Sequence, residues 1–137
     1  MGGPGMMHQP LRILLVDDIP QWRDKVRSIL KANSQWQVVG EACNGLEAVQ
    51  RTAELRPDLV LLDIGMPILN GIEAARQIRQ HSPAIKVIFV TQEDDVEVRG
   101  TAFDAGAEGY VLKTNAATEL LHTVDAASEM TTTFVTT

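Results

Sequence analysis

Five polar side chains stand where apolar runs stop. Asp17 and Asp18 follow Leu11 to Val16, Asp63 follows Leu59 to Leu62, Thr91 follows Ile85 to Val90, and Lys113 follows Tyr110 to Leu112. Carboxylates, a hydroxyl and an ammonium are the parts needed to hold a cation and steer an anionic group. Two carboxylates about 4 Å apart repel by roughly 4 kcal/mol at an effective dielectric near 20. Three acids gathered in one place therefore need cations. Lys113 brings one positive charge, and a divalent ion brings two more, which balances the sum. Hard oxygen ligands in a half-open site favour Mg²⁺, which keeps several waters and often bridges to phosphate. With an incoming phosphoryl group neutralised in this way, Asp63 is placed to attack phosphorus as a carboxylate nucleophile and form an aspartyl phosphate. Thr91 is placed to donate its hydroxyl to a phosphoryl oxygen, in a transfer that is mostly positioning and electrostatics.

Each residue alone has a plainer reading. Asp17 or Asp18 alone serves equally as a helix cap, Thr91 as a strand-end hydroxyl, Lys113 as a solvated lysine and Tyr110 as core filler. Their joint placement is what carries the chemistry, and that placement depends on the elements around them.

Leu59-Val60-Leu61-Leu62 is apolar without alternation, which reads as a strand buried on both faces of a parallel sheet. Gly65 and Pro67 end it within a few residues, so Asp63 lies at its carboxyl end, where ligands bind in open α/β sheets. Leu11 to Val16 is a first strand. Pro20 then opens a helix carrying Trp22, Val26, Ile29 and Leu30 and ending at Asn33-Ser34. Trp36 to Ala42 is a less uniformly apolar strand, nearer an edge, and Cys43 at its end reads as a small core residue. Asn44-Gly45 form a turn and cap. Leu46, Val49 and Ala53 mark the inward face of the next helix, and Arg56-Pro57 stop it.

After the third strand, Pro67 to Gly71 make a loop, and Ile72, Ala75 and Ile78 face inward from a helix whose last turn holds a surface His81. A fourth strand runs from Ile85 to Val90. Glu93-Asp94-Asp95 open a helix over about Val96 to Ala105, with a weak apolar stripe and the greatest expected mobility. Gly106 and Gly109 bracket the link to a fifth strand. Ala117, Leu120, Leu121, Val124 and Ala127 form the inward face of the last helix. Five strands alternating with five helices predict an α/β fold, a doubly wound five-stranded parallel sheet with right-handed crossovers. All its strand ends lie on one edge, so residues spread along the chain converge there.

The 137 residues suit one domain, read as a disordered leader over 1–9, a folded unit over 10–130 and a tail over 131–137. Apolar residues make up 45%, charged residues 22% and aromatics 4%, which implies an aliphatic core. The apolar runs fall short of the roughly 20 residues of a membrane helix, and no signal peptide is read at the start. A single cysteine excludes an internal disulfide and fits a reducing cytoplasm. A formal charge of −6 without a basic stripe makes this chain a poor nucleic-acid binder. No two histidines are spaced as zinc ligands.

The segments ILLVDD, LVLLDIGMP with Asn70-Gly71, VIFVT and GYVLK together resemble the response-regulator receiver (CheY-like) domains of bacterial two-component signalling, over about Pro10 to Met130. The resemblance implies a flavodoxin-like (βα)5 fold with strand order 2-1-3-4-5. It marks Asp63 as phosphoacceptor, and Asp18, Asp63 and the backbone carbonyl of Gly65 as direct Mg²⁺ ligands, with Asp17 acting mainly through water. It pairs Lys113 with the phosphoryl group and makes Thr91 and Tyr110 a switch pair, Thr91 moving toward the phosphate and Tyr110 turning inward. It implies a sensor histidine kinase as partner, with transfer and later hydrolysis catalysed by the receiver itself. It also implies a phosphorylation-dependent change in self-association, through a homodimer, or in docking at the helix after Thr91, the strand at Tyr110 and the last helix.

The LKTNAATEL segment is similar to receivers fused to LuxR-type helix-turn-helix domains. The chain is then read as the regulatory part of a DNA-binding transcription regulator, with a free-standing receiver as the alternative. Thr114 stands where many members carry Pro, Gln92 where a small residue is usual, and Gly65 leaves its position without a side chain. A small Mg²⁺-dependent phosphatase would need a second acid shortly after its nucleophile, where Gly65 stands. A non-reacting pseudo-receiver is a third reading, and a nucleotide-binding flavodoxin-like protein would need a Gly-rich loop after the first strand.

Overall fold

The computed structural model describes residues 9–132, with side chains through Ser128. Strands β1 (Leu11–Val16), β2 (Trp36–Ala42), β3 (Leu59–Leu62), β4 (Lys86–Thr91) and β5 (Gly109–Leu112) form one parallel sheet in the order β2-β1-β3-β4-β5. Helices α1 (Pro20–Leu30), α2 (Gly45–Leu55), α3 (Gly71–His81), α4 (Val96–Asp104) and α5 (Ala116–Thr132) alternate with the strands. The doubly wound α/β arrangement and the implied strand order are both observed.

Successive strand residues point to opposite faces, and that period of two splits the core in half. Leu14, Val16, Val60, Leu62, Val87 and Phe89 pack against Ala48 of α2, Ala74, Ala75 and Ile78 of α3, and Ala102 of α4. Ile13, Leu15, Leu59, Leu61, Ile88, Val90 and Val111 pack against Val26 and Leu30 of α1 and Ala116, Leu120, Val124 and Ala127 of α5. All four residues of β3 are buried. At about 1.5–3 kcal/mol per large apolar side chain, a slip of β3 by one residue would forfeit far more than any polar contact restores. That cost sets the residue at which Asp63 leaves the sheet.

The helix starts carry side-chain caps at Asn44 and Asp95, where the sequence suggests helix openings, and also at Asn70. Asn44 accepts from the Glu47 N–H, and the Glu47 carboxylate accepts from the Cys43 N–H. Asn70 accepts from Glu73 and Asp95 from Glu97 in the same way. Pro20 occupies the first turn of α1, where a missing N–H has no cost.

Several local expectations are corrected. In α2 the buried face is Gly45, Ala48 and Thr52, while Leu46 is 46% exposed and Ala53 is exposed. The helix turns its small residues to the sheet because its start is seated tightly: a Cβ on Gly45 would lie 2.0 Å from the Leu69 carbonyl oxygen. In α5 the inward position is Ala116, not Ala117, which is exposed, and Leu121 is only half-buried. Cys43 is exposed rather than core, since it has already left β2 for the turn. α1 ends at Leu30, ahead of Asn33-Ser34, where two turns lead into β2. β4 begins at Lys86 and β5 at Gly109, one residue from each expected start. α5 runs to Thr132. Residues 1–8 of the expected leader and 133–137 of the expected tail lie outside the described residues.

Candidate functional site

The carboxyl ends of β1, β3, β4 and β5 bring the polar residues together. The Asp17 N–H donates to the Ala42 carbonyl and the Asp63 N–H to the Val16 carbonyl, so each backbone continues the sheet ladder one step beyond its strand. Both carboxylates are thereby held at the sheet edge, and both residues are 6% exposed. Asp18 is exposed beside them. Asp17, Asp18 and Asp63 each offer an oxygen, and these atoms lie within 4.8 Å of one another.

Lys113 reaches the cluster from the end of β5. It is 2% exposed, and its Nζ lies 2.8 Å from Asp17 Oδ2 and 3.2 Å from Asp63 Oδ2. Each acid spends its other oxygen on the backbone: Asp17 Oδ1 accepts from the Ile19 N–H and Asp63 Oδ1 from the Ile64 N–H. Burial holds the Asp17 carboxyl above the usual carboxylate range; the Lys113 and Ile19 hydrogen bonds pull the other way. Three carboxylates against one ammonium leave two negative charges. An acidic pocket of hard oxygen donors with that surplus fits a hard divalent cation such as Mg²⁺.

Thr91, the last residue of β4, is 2% exposed, and its hydroxyl accepts from the Glu93 N–H at 3.3 Å. It pairs in register with Leu112, the residue just before Lys113. Tyr110 is half-buried. Its hydroxyl donates to the Glu93 carbonyl at 2.7 Å, and the Arg99 guanidinium lies 4.8 Å from its ring centroid. Burial raises the Tyr110 phenol above its ordinary range, with Arg99 acting against that shift. Gly65 is exposed, with nothing within 4 Å of where a Cβ would stand, and Gln92 is exposed.

Two residues not read from the sequence as part of the site also reach it. Trp22 of α1 places its ring centroid 5.0 Å from Lys113 Nζ. Arg23 donates to the Asp17 carbonyl at 2.6 Å and pairs with Glu41 of β2 at 2.7 Å. Arg27 also pairs with Glu41. The available signal was position, since Pro20 starts α1 and puts both residues in the turn that follows the acidic pair.

The sequence model of the response regulator receiver domain matches residues 13–125. The chain belongs to the response-regulator receiver family. It is 38% identical over 117 residues to the transcriptional regulatory protein YdfI of Bacillus subtilis, which covers 85% of this chain and 54% of that protein. It is 40% identical over 119 residues to the response regulator protein VraR of Staphylococcus aureus, covering 86% of this chain and 56% of that one. The chain thus spans about half the length of the curated relatives it matches. A crystal structure of a LuxR-family two-component response regulator from an Aurantimonas species aligns with a TM-score of 0.82 at 36% identity, over 86% of this chain and 84% of that one. Among the described residues, no helix of this receiver is long and apolar enough to cross a membrane.

Proposed function

We propose that this receiver accepts a phosphoryl group on Asp63 from the phosphohistidine of a sensor histidine kinase. The observation that carries the reading is the buried Lys113 ammonium bridging Asp17 and Asp63 within a cluster of three acids. Asp18, Asp63 and the Gly65 carbonyl are the residues to hold Mg²⁺, with Asp17 acting mainly through water. When bound, that ion supplies charge neutralisation to the acids and the entering phosphoryl group.

An Asp63 oxygen forms the new bond to phosphorus as the phosphorus–nitrogen bond of the donor breaks. The imidazole leaves with the electron pair and takes up a proton. Lys113 and the Thr91 hydroxyl hold the phosphoryl oxygens, and the receiver catalyses both this transfer and the later hydrolysis of its acyl phosphate. Thr91 is drawn toward the phosphoryl group and Tyr110 turns inward, which remodels α4, β5 and α5 and changes self-association or docking. The folded unit over 10–130 works in the cytoplasm as the regulatory part of a DNA-binding transcription regulator. The LuxR-family relatives support that placement.

Incubation with Mg²⁺ and acetyl phosphate, followed by intact mass measurement, tests the reading. A gain of one phosphoryl group in the wild type that is absent in Asp63→Asn is expected. Equal uptake by both proteins would refute it. Sedimentation with and without beryllofluoride tests the change in association, and an unchanged mass and shape would exclude a phosphorylation-driven dimer.

A further inference from the structure

Lys113 has three N–H donors, and two of them point at carboxylates that the proposed chemistry must redirect. If a cation draws on Asp17 and Asp63, and Asp63 then carries a phosphoryl group, both present acceptors change their engagement. Until the phosphoryl oxygens are in place to accept from it, a contact independent of the acids keeps the buried ammonium aimed at the site. Among the described residues, the Trp22 ring also faces it, 5.0 Å from Nζ to centroid. We infer that Trp22 is a positioning residue of the phosphoryl site, its indole giving the Lys113 ammonium a fixed seat independent of the acids. This rests on the phosphoacceptor reading above.

Three observations support the seat over simple filling. An ammonium about 5 Å from an aromatic centroid is held by the ring quadrupole, most strongly by Trp, and more so when water is excluded. Lys113 is 2% exposed, so its side of the contact is dry. The helix turn that carries the ring is also anchored. Arg23, the next residue, ties α1 to the Asp17 carbonyl and to Glu41, which fixes the first turn of the helix against the ends of β1 and β2. A second ammonium, that of the exposed Lys25, lies 5.0 Å from the same centroid, so the indole already gathers cations. An indole has no acidic proton to lose near neutral pH and does not compete for the phosphoryl oxygens. It therefore leaves the Lys113 donors that face the acids free to follow the acceptors.

The test uses the full chain with Mg²⁺ and acetyl phosphate, in which Asp63 takes the phosphoryl group and acetate leaves. Trp22→Leu keeps an apolar side chain but removes the ring. It is expected to slow uptake at saturating donor about tenfold, with melting temperature and Mg²⁺ affinity near wild type, and Trp22→Phe recovers most of the rate. In the wild-type protein without ligands, the Lys113 methylene next to the ammonium resonates upfield of the other lysines through the ring current. An unchanged rate in Trp22→Leu, or a Lys113 signal among the other lysines, overturns the inference. So does a rate loss matched by equal losses of stability and Mg²⁺ affinity, which marks a filler. Equal uptake by wild type and Asp63→Asn instead overturns the phosphoacceptor reading itself, so the two failures are distinguishable.

Discussion

Gly71 lies so close to Asp63 that a Cβ at position 71 would stand 1.9 Å from the Asp63 carbonyl oxygen. The Gly71 N–H donates to the Ile64 carbonyl at 2.8 Å, so the start of α3 is seated directly on the end of β3. The Asp63 carboxylate owes its position partly to an absent side chain. Gly71→Ala is expected to cost about 1–3 kcal/mol through overpacking, seen as a lower urea midpoint at unchanged slope. It is also expected to slow phosphoryl uptake, because the backbone of Asp63 must shift. Wild-type stability and uptake in this variant would contradict the packing argument.

Asp17 gives the pH dependence a definite sign. Its carboxyl is raised above 3.8 in the folded protein by burial, so the folded state holds that proton more tightly than the unfolded chain. Its contribution therefore favours folding at low pH and is lost as pH rises from about 3.8 through the raised value. Asp17→Asn is expected to stabilise the metal-free protein at pH 7 by about 1 kcal/mol, the scale of one screened carboxylate repulsion. The same change is expected to blunt the rise in melting temperature on adding Mg²⁺. Thermal melts with and without Mg²⁺ across acid and neutral pH measure both effects.

Tyr110 ties β5 to the loop before α4 through a single hydroxyl. Tyr110→Phe keeps the ring near Phe89 and Phe103 but removes the bond to the Glu93 carbonyl. A loss of about 0.5–1.5 kcal/mol is expected, with faster amide exchange over residues 92–98. Arg99→Ala is expected to move the phenol further up, since Arg99 is the group that opposes the shift caused by burial. Spectrophotometric titration of the one tyrosine reads this directly.

Ile68 sits in the loop after β3 with φ of 72° and 75% of its surface exposed. A β-branched residue in the left-handed region is strained, and this one recovers little through burial. Ile68→Asn is expected to stabilise the fold by about 0.5–1 kcal/mol, since Asn tolerates that conformation. Chemical denaturation checks it. A net destabilisation would mean that the exposed side chain has packing partners in solution.

The correct and incorrect readings of the sequence divide along a physical line. β3 and the ends of β1 and β4 were legible because a strand buried on both faces leaves an unbroken apolar run that stops where the sheet stops; β5, an edge strand, showed only a short apolar run ahead of Lys113. The cap at Asn44 was legible because it acts within three residues. The inward face of α2 was misread. Leu46 and Ala53 fit a helical period, but the close seat of Gly45 against Leu69 rotates Ala48 and Thr52 to the sheet instead. Cys43 was misread because one residue past a strand end is enough to turn a small side chain outward.

For this receiver, the chain by itself determined the alternation of strands and helices, and with it the single edge on which Asp17, Asp18, Asp63, Thr91 and Lys113 emerge. That much follows from local periodicity and parallel topology. Only the tertiary structure decided that Lys113 bridges Asp17 and Asp63, that Tyr110 holds the Glu93 carbonyl, and that Trp22 and Arg23 of α1 reach the Lys113 ammonium and the Asp17 backbone carbonyl. Those contacts depend on how each helix is rotated and how far it slides along the sheet. Packing between sequence-distant surfaces sets both quantities, and no local pattern encodes them.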